Sequence, residues 1–159
     1  MIGVKKFDHR FTSQLLNSMA DGVFTLDNQG FITFWNPAME RLTGFAADEA
    51  IGKQCGMLAF DACVHRGCIT DFSKCAIFGQ EKLEGKECHL RHKDGHAIPV
   101  LKKARKVLSD NGKLLRVVEN ITDLTEIYAY RNKMESVQSK LLQLYSFDNI
   151  VGKSHVINQ

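Results

Sequence analysis

The apolar residues of this chain change period once, near Leu124, and that change limits what the chain can become. Before it, apolar residues fall in short runs broken by turn formers. After it, Ile127, Tyr130, Met134, Val137, Leu141 and Leu144 recur at alternating spacings of three and four, with polar and charged residues between them. That is the a/d seam of a coiled coil over about two and a half heptads. So short a seam is marginal alone. A parallel homodimer is expected, through this C-terminal helix and the N-terminal helix, with the preceding domain helping the helices to pair.

Ahead of the seam, Phe11, Leu15, Leu16 and Met19 share one helical face, with Thr12 or Ser13 as start signals. Val23 to Leu26 and Phe31 to Trp35 are β-prone, and Asp27-Asn28-Gln29-Gly30 between them predicts a hairpin. Asn36-Pro37 is a helix start, with Asn as N-cap and Pro in the first turn. A helix should run from Pro37 to Thr43 and stop at Gly44, and another from Ala46 to Ile51. Residues 53 to 71 show no period. Phe72 to Leu83 reads as helical, ending near Gly85. Glu87 to Arg91, Ala97 to Leu108 and Leu114 to Ile121 read as strands. The order of two strands, several short helices and three strands predicts an α+β fold. It would be a five-stranded antiparallel sheet with short helices on one face, plus an N-terminal helix and the C-terminal coiled-coil helix.

Composition excludes several classes. The formal net charge of +3 is too small to imply nucleic-acid binding. The basic run Lys102-Lys103-Ala104-Arg105-Lys106 is expected to be a solvated strand face. No apolar run reaches the roughly 18 residues of a membrane span. Residues 1 to 10 are polar, without the apolar region of a secretory signal. A cytoplasmic location is expected. The five cysteines would there be thiols, metal ligands or redox sensors rather than structural disulfides.

Three stretches resemble the PAS family of sensor domains. Residues 15 to 53, LLNSMADGVFTLDNQGFITFWNPAMERLTGFAADEAIGK, are similar to the opening half of a PAS sensor. Residues 91 to 100, RHKDGHAIPV, resemble its central hairpin. Residues 119 to 126, ENITDLTE, resemble the last strand and its Asp-x-Thr junction, here Asp123-Leu124-Thr125. The resemblance implies a signal-sensing domain that is not an enzyme, with Asp123 and Thr125 relaying the signal. Residues 147 to 159, FDNIVGKSHVINQ, resemble the entry to the AAA+ ATPase domain of sigma-54-dependent transcriptional regulators. No phosphate-binding loop accompanies them: Gly152-Lys153-Ser154 would need a glycine at Phe147. The expected organisation is a tail (1–10), a PAS sensor (11–122), a signalling and dimerisation helix (123–146) and the truncated start of an AAA+ output domain (147–159), itself absent. A PAS module of a sensor histidine kinase is an alternative, but no His lies between His96 and His155 to accept phosphate. A purely structural dimerisation module is another.

Function on such a scaffold must be argued from the site. Cys55, Cys63, Cys68 and Cys75 lie where a PAS domain carries its pocket-lining helices, and four thiolates can hold zinc or an iron–sulfur cluster. Thiol-based redox sensing and inert thiols are the other readings. Cys88 is expected to be a separate packing residue. His65 could replace one thiolate, while His89, His92 and His96 flank a hairpin turn. Gly52 to Leu58 is similar to the flavin-adduct motif GxNCRFLQ, but Gln54, Gly56 and Ala59 depart from it, and Leu90 and Val100 replace the flavin-binding asparagines. Flavin is therefore not expected. Phe24, Leu26, Phe34, Trp35, Leu42, Phe45 and Phe60 line either a small-molecule pocket or the core. No Cys–His pair stands at a catalytic spacing, so no enzyme is expected.

Overall fold

The computed structural model describes residues 8–157, with side chains described to residue 151. Helix α1 (His9–Ser18) leads into strands β1 (Gly22–Leu26) and β2 (Ile32–Trp35). Helices α2 (Pro37–Thr43) and α3 (Ala47–Ala50) follow, then a 3-10 turn (Cys55–Leu58), α4 (Asp61–Val64) and two more 3-10 turns (Phe72–Lys74, Ala76–Gly79). Strands β3 (Lys82–Arg91), β4 (Ala97–Leu108) and β5 (Leu114–Asp123) complete the first unit, and α5 (Thr125–Ile157) forms the second. The five strands are antiparallel in the order β2-β1-β5-β4-β3. The α+β architecture expected from the sequence is the one observed.

Local chemistry explains the first half. Asp27 Oδ1 accepts from the backbone N–H groups of Gln29 and Phe31, each at 2.9 Å, and closes the β1–β2 turn. Asn36 is buried and ends β2. Its Oδ1 accepts from Val23 N (2.9 Å) and from Met39 N (3.0 Å), capping α2, while its Nδ2 donates to the carbonyls of Leu16 (3.0 Å) and Asp21 (3.1 Å). Gly44 ends α2 at φ +76°, a left-handed conformation that glycine adopts at least cost. Trp35 Nε1 donates to the Phe45 carbonyl at 3.1 Å and ties the hairpin to the next loop.

The core lies between one face of the sheet and the short helices that cross it. Phe24, Leu26, Leu90, Val100, Val117 and Ile121 face Met39, Leu58, Phe60 and Ile77, all essentially inaccessible to water. Among the described residues no helix is long and apolar enough to cross a membrane.

Several boundaries differ from expectation. The α1 helix starts at His9, with Asp8 as its cap rather than Thr12 or Ser13, and Asp8 Oδ1 accepts from Arg10 N. Residues 72 to 83 do not form the expected helix: they make two 3-10 turns, and β3 begins at Lys82. Gly85 is not a helix stop. It sits at a register shift between Leu83 and Lys86, where a side chain would press on Leu101. Helix α5 continues past residue 146 to Ile157, so most of the segment expected to open an output domain is helical here. Residues 1–7 of the expected tail and residues 158–159 lie outside the described residues.

Candidate functional site

Strand alternation builds the centre of the site. On β4, Ile98, Val100, Lys102 and Ala104 occupy one face, and all four are buried. On β5, Val117, Glu119 and Ile121 do the same. The β4–β5 register sets Lys102 opposite Ile121 and Ala104 opposite Glu119, so Lys102 and Glu119 are diagonal neighbours. Lys102 Nζ lies 2.9 Å from Glu119 Oε2, and the two side chains are 10% and 2% exposed. That carboxylate oxygen has no well-aligned hydrogen bond. The basic run is thus not a uniformly solvated face. Lys103 and Arg105 are exposed, but Lys102 points inward.

The Lys102 ammonium also lies 4.1 Å from the Phe60 ring centroid and 3.8 Å from Cys63 Sγ. Burial alone would lower its proton affinity. The paired Glu119 carboxylate opposes that, and the net shift is upward. The residue is a fixed positive charge.

Four cysteines open on one cavity of about 280 Å³ beside this ammonium. Cys63 comes from α4, Cys68 and Cys75 from the irregular segment after it, and Cys88 from β3. Cys55, half-buried at the first 3-10 turn, lies within electrostatic range of Lys102, Glu119, Cys63 and Cys75. Burial pushes the Cys55 thiol up to about 12, and the Glu119 charge adds to the effect. Burial and then the adjacent Cys63 side chain push Cys68 up to about 12. Burial raises Cys88 to about 11 and raises Cys75 as well. At neutral pH these four are therefore thiols, not thiolates. Cys68 Sγ donates to the Cys63 carbonyl at 3.4 Å. Cys63 is half-buried and is the thiol that touches the ammonium.

The other sequence candidates are distributed as follows. Cys88 is not separate from the other thiols but lines their cavity. His65 is exposed at the end of α4. His89 is exposed and pairs with Asp61, Nδ1 to Oδ2 at 3.1 Å, linking β3 to α4. Phe24, Leu26, Trp35 and Phe60 pack in the core, with Leu42 and Phe45 partly buried against it and Phe34 half-buried on β2. Asp123 ends β5 and Thr125 begins α5, while Leu124 N donates to the Pro99 carbonyl at 2.9 Å. The sequence reading missed Lys102 and Glu119. The signal that would have found them is their period-two spacing from Val100, Ala104, Val117 and Ile121.

Comparison with known proteins agrees with this architecture. A family model described as the PAS fold matches residues 10–124. A phytochrome of Picea abies is 36% identical over 76 residues, 48% of this chain and 6% of that protein. A phytochrome of Mougeotia scalaris is 54% identical over 37 residues, 23% of this chain and 3% of that protein. The chain thus matches only a small part of either relative's length. Among solved structures, a PAS domain from Colwellia psychrerythraea is 25% identical with a TM-score of 0.63, covering 74% of this chain and 97% of that one. An RNA-binding light-oxygen-voltage receptor is 22% identical with a TM-score of 0.64, covering 82% of this chain and 37% of that one. A domain of a sensory box sensor histidine kinase/response regulator from Geobacter sulfurreducens is 24% identical with a TM-score of 0.56, covering 72% and 92%. By the family match over residues 10–124 and by its fold, the chain belongs to the PAS family, and its first unit is a signal-sensing PAS domain.

Proposed function

We propose that this chain is the sensory module of a bacterial sigma-54-dependent transcriptional regulator, with the signal received at the thiol-lined cavity beside Lys102. The observation that carries the site is the convergence of Cys63, Cys68, Cys75 and Cys88 on one cavity next to a buried ammonium. The regulator context is supported by the resemblance of residues 147 to 159. A sensor histidine kinase is the second reading, favoured by the similar solved domain from Geobacter sulfurreducens, which comes from a sensor histidine kinase/response regulator.

Two chemistries suit the cavity. In the first, the cavity-lining Cys63, Cys68 and Cys75, joined by Cys55 from outside the cavity lining, lose their protons and hold zinc or an iron–sulfur cluster. Their segment must close further to do so, and the metal's binding energy can drive that closure. In the second, a peroxide oxidises Cys63. Its sulfur attacks the O–O bond, giving a sulfenic acid and water, and the Cys68 thiol then displaces a second water to form a disulfide. Either event loads β3 and β4 through Cys88 and Lys102. The change would pass along β5 to Asp123 and Thr125, and so to α5. The signal acts only if it favours one of the two states.

The test uses protein purified without oxygen, as the parent and with each cysteine changed singly to Ser. Metal content and the ultraviolet–visible spectrum read the first chemistry. Thiol counting after one equivalent of peroxide reads the second. Cys88→Ser is no neutral control, because Cys88 lines the same cavity. A parent that holds no metal and loses no thiols to peroxide sinks the assignment of this cavity as the receiver.

A further inference from the structure

We propose that the β3–β4 turn is a binding site for a divalent transition cation of the zinc class, held by His92, Asp94 and His96. These residues occupy alternate positions of the turn His92-Lys93-Asp94-Gly95-His96. Ligand atoms from all three lie within 4.8 Å of one another. His92 Nδ1 is 3.1 Å from Asp94 Oδ1, and His96 Nδ1 contacts the same oxygen. The two imidazole rings stack, with centroids 4.5 Å apart and planes 23° from parallel.

The approach of His92 to the Asp94 carboxylate is one that a cation between them would relieve. In the ion-free turn the His92 Nδ1 accepts from Asp94 N at 3.1 Å through the one in-plane lone pair of a neutral ring, so an ion at Nδ1 takes the place of that N–H. The same nitrogen also faces the Asp94 carboxylate oxygen, a second acceptor. Two acceptors this close repel unless a proton or a metal ion joins them. Two imidazoles and one carboxylate suit a borderline cation such as Zn²⁺, and leave a fourth position for water.

The turn is held in shape before any ion arrives. His92 N donates to the His96 carbonyl at 2.9 Å, Gly95 N donates to the His92 carbonyl at 2.9 Å, and Gly95 takes φ +100°. The turn is also fastened to the helices. Lys93 N donates to the Thr43 carbonyl at 2.8 Å, the Lys93 ammonium pairs with Glu49, and a side chain at Gly44 would strike the His92 ring. An ion here would therefore stiffen the join between the hairpin and the α2–α3 corner. This site shares no ligand with the cysteine cavity and does not rest on that cavity's role.

The experiment titrates Zn²⁺ into the reduced full chain and follows the histidine ring nitrogens by ¹⁵N NMR, which separates this site from the thiols. Saturable shifts at His92 and His96 at micromolar Zn²⁺ are expected. They should weaken at least about tenfold in Asp94→Asn and in His96→Ala, both changes at exposed turn positions whose folding the same spectra check. Zn²⁺ that perturbs only the cysteine segment, or that moves the histidines equally in Asp94→Asn, would overturn the site. So would histidine shifts that appear only at millimolar Zn²⁺.

Discussion

At the scale of single residues, the buried charge pair is the feature that matters most and that the sequence hid most easily. Lys102 stands in a run with three other basic residues, and composition favours a wet face for such a run. The geometry of a strand is stronger than composition: every second residue of β4 from Ile98 to Ala104 is buried, and Lys102 falls between Val100 and Ala104. The cysteines were legible as a group, but Cys88 was not legible as a member, because it reaches the cavity from a strand distant in sequence. Two outcomes follow. Changing Lys102 to Met leaves Glu119 buried without its cation, and should cost about 3–5 kcal/mol of stability in urea denaturation. The double change Lys102→Met with Glu119→Leu should recover most of that loss; a double variant as unstable as the single would show that the pair is not what the site needs. The thiols set an alkaline limit. Their folded-state affinities for protons are raised, to about 12 for Cys55 and Cys68 and about 11 for Cys88. The unfolded chain loses these protons near its ordinary thiol value, about 8.5. Between those values the folded state binds more protons, so stability must fall as pH rises from about 8.5. Each thiol contributes a slope of at most about 1.4 kcal/mol per pH unit. Melting temperature measured from pH 7.5 to 10.5 should fall, and fall less steeply in Cys55→Ser and Cys68→Ser.

Elements with a local cause were readable from the sequence, and those without one were not. The β1–β2 turn is closed by Asp27, and α2 is begun by Asn36 and ended by Gly44. Residues 53 to 81 lack any such period. They are ordered instead by contacts made at a distance: Phe72 packs edge-on against Phe78 with centroids 5.1 Å apart, and Leu58, Phe60 and Ile77 enter the core. The β2–α2 junction offers the sharpest test of element-level order, since the four hydrogen bonds of Asn36 join β1, α2, α1 and the α1–β1 connection. Asn36→Ala removes the cap and strands buried backbone groups at Val23 and Met39. We expect a loss of about 2–4 kcal/mol in urea denaturation. Asn36→Asp should be no better, because it keeps the acceptor but turns a second oxygen toward the carbonyls of Leu16 and Asp21. An Asp variant of parental stability would mean that those two bonds contribute nothing.

At the scale of the whole molecule, the question is what covers the helices at the two ends of the chain. Along α5, Ile127, Tyr130, Met134, Val137, Leu141 and Leu144 are all exposed in the single chain, from 48% to 68%. In α1 no residue is buried, and Phe11 and Leu15 are each about half exposed. Apolar surface in a heptad register points to a second copy of the same helix. With Ile127 at a and Tyr130 at d, Glu126 falls at g and Arg131 at the following e. In a parallel pair, Glu126 of one helix then meets Arg131 of its partner, opposite charges in the place that sets orientation. An antiparallel pair would lose that match. About two and a half heptads are too few to hold two chains by themselves, so α1 or the sheet domain must contribute. We therefore expect the intact chain to scatter light as a dimer at micromolar concentration and a chain ending at Thr122 to dimerise more weakly. Leu141→Asp should place a charge in the seam and shift the intact chain toward monomer, without changing the melting of the sheet domain. If the intact chain is monomeric, the seam is not an interface. If Leu141→Asp leaves a stable dimer, pairing lies in the PAS domain, and α5 is not the element that joins the chains.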